Sequence, residues 1–181
     1  QLYKAFLWKQ PIFVHLPVIL GTDKTKLSKR HGAKSALDYR KEGFLKEALL
    51  NFMALLGWNP GEDREQMGIE DMIKLFELKD INTANPIFDN KKLEWLNGVW
   101  IRNINDLDER LKDFYKDDKE IVKVLNSEKS KVFIESAKSR MKTLSDFKNL
   151  VNVGKQRKFT TEEKQKAEML LKYLTHKLGD K

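Results

Sequence analysis

Four residues with phosphate-binding chemistry, Lys26, Ser28, Lys29 and Arg30, fall within one pentamer, Lys26-Leu27-Ser28-Lys29-Arg30. The preceding run Val18-Ile19-Leu20-Gly21 reads as the end of an apolar strand, and a helical pattern follows the pentamer. A loop at such a junction can gather two or three cations around a triphosphate, where charge shifts toward the β,γ-bridge as the α-phosphorus is attacked. Preorganised donors of this kind stabilise a transition state by about 2.7–4 kcal/mol each. Ser28 adds a hydroxyl hydrogen bond, and Leu27 can anchor the loop by packing inward. The same pentamer on an ordinary turn is only solvated basic surface. A P-loop is set aside, because Gly21-Thr22-Asp23-Lys24-Thr25 lacks the second glycine before its lysine.

The charge pattern extends this reading beyond the pentamer. The 181 residues carry a formal net charge of +8, which admits an anionic partner but equally a lysine-rich solvated surface. Two windows hold the excess. Residues 24–46 set eight cations against Asp38 and Glu42, a net of +6, and residues 138–158 set seven against Asp146, again +6. The rest is therefore slightly acidic, and two separated basic clusters suit two contact zones on one long polyanion. With no cysteine, a disulfide framework and a Cys-based zinc site are excluded within this segment, and a reducing compartment fits. His15, His31 and His176 are not spaced as ligands, so no metal site is expected. No run approaches the ~18 apolar residues of a membrane span, and no membrane partner is expected. The chain starts without Met inside a structured pattern, which reads as a segment of a longer protein.

The elements that must position these residues follow from periodicity. A short amphipathic piece (Leu2, Phe6, Leu7, Trp8) leads to a strand-like run over 13–20. Ser35 with Asp38 resembles a capping box for a short helix at 36–42, stopped by Gly43. Leu45, Ala48, Leu49, Phe52, Met53, Leu55 and Leu56 recur at helical spacing up to Gly57. Further helices are expected at 69–76, from Asp89 through Ile101, from Asp106 through Phe114, at 121–125, 132–141 and 144–151, and from Thr161 to Leu178. Leu49, Phe52, Met53, Leu56, Trp58, Leu93, Trp95, Leu96 and Trp100 are assigned to packing.

Lys26-Leu27-Ser28-Lys29-Arg30-His31-Gly32 resembles the KMSKS-type signature of class I aminoacyl-tRNA synthetases, in the form found in bacterial-type glutamyl enzymes. His15-Leu16-Pro17, Asp38-Tyr39-Arg40, Leu55-Leu56-Gly57-Trp58 and Leu93 to Arg102 match as well, densely over 11–105 and loosely beyond. The resemblance implies a mainly α fold, in which a helical stem-contact region precedes an all-helical anticodon-binding bundle and a short α/β remnant of the Rossmann catalytic domain stands at the N-terminus. Its implied divisions are the end of the catalytic domain at 1–21, the loop and stem-contact region at 22–105, a first anticodon-binding subdomain at 106–154 and a truncated second one at 155–181. It implies catalytic roles for Lys26 and Lys29 and contacts from Lys26, Ser28, Lys29 and Arg30 to ATP, which with Mg2+ would serve the full-length enzyme, no cofactor being expected on the segment itself. Contacts to tRNA are implied for Lys34, Arg40, Lys138, Arg140, Lys142, Lys155, Arg157 and Lys158. Arg140, before Thr143-Leu144, would approach an anticodon base, while the lysines meet phosphates.

No HIGH-type motif occurs in the chain, so the segment of such a glutamate–tRNA ligase is expected to be inactive alone. Its implied partners are tRNA(Glu), with tRNA(Gln) as a second candidate, and glutamate and ATP in the whole enzyme. A monomer in the bacterial cytoplasm is expected, with an organelle as the alternative. The competing readings are a stand-alone, non-enzymatic tRNA-binding helical module and, more remotely, a lysine-rich interaction domain without RNA.

Overall fold

The computed structural model describes residues 1–28, 33–61 and 64–156 and is mainly helical, with isolated bridges and no extended ladder among the described residues. Helix α1 (Leu2–Ala5) is a single turn. Helix α2 (Ala36–Lys41) begins at the expected capping box. The Ser35 hydroxyl accepts the Asp38 amide at 3.3 Å, and the Asp38 carboxylate accepts the Ser35 amide at 3.0 Å. Gly43, at φ +86°, ends this segment in the left-handed region where a β-carbon is costly.

Helices α3 (Lys46–Gly57) and α5 (Asn90–Asn103) form the central pair. Asp89 caps α5 as expected, accepting the Lys91 amide at 2.8 Å. Periodicity places Phe52, Leu56, Leu93 and Leu96 together around Tyr39 and Phe88 in one buried cluster. Trp58 and Met67 pack with Met72 of α4 (Ile69–Leu75) in a smaller one. The central pair also holds two fully buried amides, Asn51 and Asn97. Such groups are mostly hydrogen-bonded in a core, and Asn51 is so through its oxygen alone, its Nδ2 having no partner among the described residues. Asn51 Oδ1 accepts the Met67 amide at 3.0 Å and the Trp100 indole N–H at 3.1 Å.

Helices α6 (Leu107–Phe114), α7 (Lys119–Leu125), α8 (Ser130–Lys138) and α9 (Asp146–Gln156) enclose the largest cluster, which includes Leu111, Ile121, Leu125, Met141 and Phe147. Leu45, Ala48 and Ile101 reach into it from the central pair, so the cores meet along α3 and α5. Arg110 reinforces this junction with paired 2.9 Å bonds to both Glu47 oxygens. Burial would push the Glu47 carboxyl up, but bonding to Arg110 and its charge hold it below the ordinary range.

Three expectations need correction. The apolar run at 13–20 does not form a strand; among the described residues only Leu20 of it forms bridges, with Lys26 and Ile87, and Pro17 lacks a ladder donor. Asp106 gives no side-chain cap to α6, since its carboxylate takes Arg110 Nε at 2.9 Å. Met53 and Trp95, assigned to packing, are 43% and 46% exposed, because the buried stripes of their helices run on other faces. The helix expected from Thr161 to Leu178 lies outside the described residues.

Candidate nucleic-acid interface

The segment leading to the pentamer is a small hairpin. Leu20 and Lys26 form an antiparallel bridge, the Gly21 amide donates to the Thr25 carbonyl at 2.8 Å, and the Leu27 amide donates to the Ile19 carbonyl at 3.0 Å. Asp23 braces the turn by accepting the Thr25 amide at 3.0 Å and its hydroxyl at 2.9 Å. Leu27 packs inward against the cluster that contains Tyr39, Phe52 and Phe88, as the sequence suggested. Side chains alternate along extended backbone, so an inward Leu27 leaves its neighbours Lys26 and Ser28 on the other side. Lys26 is exposed and Ser28 partly so. The Ser28 carbonyl accepts the Ala33 amide at 3.1 Å. Lys29 and Arg30 lie outside the described residues, as do Arg157 and Lys158.

A hydroxyl and an ammonium group fit an anion. No group of three or more His, Asp or Glu side chains among the described residues could hold a metal ion. The described loop residues Lys26 and Ser28 are donors of the kind that phosphate oxygens accept from.

The second window gathers around the turn from Met141 to Ser145. The Leu144 amide donates to the Gly43 carbonyl at 2.9 Å, and the Ser145 hydroxyl donates to the Glu42 carbonyl at 3.1 Å. The two basic windows, expected as separated zones, therefore meet at this turn. Lys34 and Lys142 line one polar cleft of about 620 Å³ together with Tyr39, Glu42, Glu94 and Thr143. Neither cation is bare. Lys34 Nζ lies 2.6 Å from Glu42 Oε1, a bond that raises its pKa, and Lys142 Nζ lies 3.4 Å from Glu94 Oε2. Exposed pairs of this kind contribute about 0–1 kcal/mol, so a phosphate can replace either carboxylate at small cost.

The remaining basic residues differ in their surroundings. Arg40, in the last turn of α2, is exposed and has no acidic partner among the described residues. Lys138 is half-buried at the end of α8. Arg140 is exposed and donates to the Ser136 carbonyl at 3.2 Å, which uses one N–H and satisfies the helix end. Lys155 belongs to α9, its side chain lying outside the described residues.

Sequence reasoning missed a further stripe. Lys91, Trp95 and Arg102 share one exposed face of α5, and neither Lys91 nor Arg102 has an acidic partner among the described residues. An exposed indole flanked by unpaired cations suits stacking on a nucleobase. The signal was available in the spacing, since positions 91, 95 and 102 fall on one helical stripe, out of phase with Leu93, Leu96 and Trp100.

A family model described as "tRNA synthetases class I (E and Q), catalytic domain" matches residues 1–95. The glutamate–tRNA ligase of Aquifex aeolicus is 52% identical over 108 residues, covering 59% of this chain and 23% of that protein. Glutamate–tRNA ligase 2 of Caldicellulosiruptor saccharolyticus is 40% identical over 145 residues, covering 79% of this chain and 30% of that protein. The crystal structure of glutamate–tRNA synthetase from Elizabethkingia anophelis superposes with a TM-score of 0.72 at 30% identity, over 96% of this chain and 39% of the other. The chain thus spans well under half the length of these relatives.

Proposed function

The chain belongs to the class I tRNA synthetases of the glutamate and glutamine type, and from that premise we propose that it serves as the phosphate-loop, stem-contact and anticodon-side portion of a bacterial glutamate–tRNA ligase. The observation that carries this reading is the hairpin. Leu27 packs against the core, and Lys26 and Ser28 stand beside it on a loop whose sequence resembles the family signature. In the whole enzyme, ATP would react with glutamate to give the adenylate and pyrophosphate, and glutamate would then pass to the tRNA terminus. Lys26 and Ser28, with Lys29 and Arg30, hold the triphosphate and stabilise the charge that leaves with pyrophosphate. Mg2+ arriving on the ATP phosphates supplies further charge neutralisation when bound.

Residues 22–105 form the stem-contact region, 106–154 the first anticodon-side subdomain, and 155–181 begin a second. Lys34, Arg40, Lys138, Lys142, Lys155, Arg157 and Lys158 meet tRNA phosphates. Lys91, Trp95 and Arg102 join them from α5. Arg140, whose other guanidinium N–H groups have no partner among the described residues, reads an anticodon base of tRNA(Glu), and tRNA(Gln) is a second acceptor. The work is done by a monomer in the cytoplasm. Among the described residues, no helix is long and apolar enough to cross a membrane.

The test has two parts. The 181-residue chain should support no glutamate-dependent pyrophosphate exchange, and measurable exchange would refute this division of labour. Arg140→Ala should reduce preference among anticodon variants of tRNA(Glu) more than total affinity, whereas Lys155→Ala should lower binding to all of them alike. Equal effects from the two would make Arg140 an ordinary phosphate contact.

A further inference from the structure

The turn from Met141 to Ser145 is held by partners from three other parts of the chain. The buried Asn97 side chain is used at both ends: its Oδ1 accepts the Leu45 amide at 2.8 Å, and its Nδ2 donates to the Lys142 carbonyl. Beside it, Gly98 allows close approach, since a β-carbon there would stand 3.1 Å from the Met141 carbonyl oxygen. Gly43 does the same from the end of α2, where a β-carbon would lie 2.7 Å from the Ser145 nitrogen. From α6, the Tyr115 hydroxyl donates between the carbonyls of Leu144 (3.0 Å) and Ser145 (2.8 Å). The turn is also closed within itself, with Asp146 accepting the amides of Lys142 at 2.8 Å and Thr143 at 2.9 Å.

These bonds join the two basic windows, one containing α2 and Gly43, the other running through Arg140 and Lys142. We propose that this turn is a rigid joint, with Asn97 as its positioning residue, which fixes the two windows in the relative geometry that lets one RNA engage both at once. The inference rests on the tRNA-binding reading above. Its physical content is avidity: when two sites are held at the right separation and angle, engagement of the first presents the second at high effective concentration. Linked sites of this kind can exceed either alone by about 10²–10⁴-fold, and the advantage falls when the geometry loosens. Asn97 touches no RNA in this scheme. It acts by holding Leu45 and Lys142 to one another.

The experiment compares whole tRNA(Glu) with its parts. Binding of the 181-residue chain is measured for whole tRNA, an anticodon stem-loop hairpin, and a tRNA lacking the anticodon arm, with thermal unfolding followed on the same samples. Asn97→Ala should weaken whole-tRNA binding at least about tenfold while leaving the hairpin and the armless tRNA within about twofold of the parent chain. Unchanged whole-tRNA binding, or an equal loss for whole and partial RNAs, overturns the joint. If Asn97→Ala does not fold, Ser145→Ala decides, because it removes the exposed hydroxyl bonds to the Glu42 carbonyl and to Thr143 Oγ1 while leaving the buried Asn97 in place. A loss confined to whole tRNA supports the joint, and its absence overturns it. A parent chain that binds none of the three RNAs defeats the tRNA-binding reading itself, an outcome distinct from failure of the joint.

Discussion

The hairpin at 19–28 and the turn at 141–145 both present basic side chains, but they are held in different ways. The hairpin is braced mostly by its own residues, with Asp23 bonded to Thr25, Gly21 to Thr25 and Leu27 to Ile19. The turn is held from afar, by Asn97, Gly43 and Tyr115, which lie 29 to about 100 residues away in sequence. The tip of the hairpin, residues 21–26, can therefore adjust by breaking a few exposed local bonds while its base stays tied through Leu20 to Pro86 and Phe88 and through Leu27 to the core. The turn, by contrast, moves only with the cores that carry its partners. That contrast suits the roles proposed for the two segments, a loop over the ATP phosphates and a joint between two RNA-binding zones.

The comparison breaks most sharply at Asn97. Replacing it by Leu keeps the volume but leaves the Leu45 amide and the Lys142 carbonyl without their partner in a dry interior. Unfolding by urea should show a loss of about 2–5 kcal/mol. A loss below about 1 kcal/mol would mean that the turn is held no more firmly than the hairpin.

Tyr115 sharpens the same point through pH. Burial pushes its hydroxyl up to about 12 from an ordinary value of 10.0. The unfolded chain therefore releases this proton first, so the stability that Tyr115 contributes is complete below pH ~10 and is lost as pH rises toward ~12. Tyr115→Phe should cost about 1–2 kcal/mol at neutral pH. Its stability should also fall less steeply between pH ~10 and ~12 than that of the parent chain. Parallel curves would place Tyr115 in a solvated site.

The smallest effect is expected in the hairpin. Asp23→Ala removes exposed turn bonds and should lower global stability by less than about 1 kcal/mol, while increasing amide hydrogen exchange at Thr25. Unfolding of the whole chain by this substitution would contradict local bracing.

The same contrast explains what the sequence revealed. The capping box at Ser35 and Asp38, the stop at Gly43 and the cap at Asp89 were legible because each depends on neighbours within a few residues, and the inward Leu27 because it is the apolar residue of an otherwise polar pentamer. The joint was not, since nothing local to Arg140-Met141-Lys142-Thr143-Leu144 announces that Asn97 and Tyr115 complete it. Trp95 was misread for a different reason. Its apolar character fits a core, although its spacing sets it out of phase with Leu93, Leu96 and Trp100 and so turns it outward. Lys34 and Lys142 were recognised as cations, but their pairing with Glu42 and Glu94 depends on tertiary contacts.

Salt dependence of tRNA(Glu) binding by the 181-residue chain tests the central claim most directly. If both basic zones engage one RNA, log affinity should fall linearly with log salt, with a slope of about −0.7 to −0.9 for each phosphate contacted, and should be several-fold steeper for whole tRNA than for the anticodon hairpin. A salt-insensitive complex, or the same slope for both RNAs, would contradict the account.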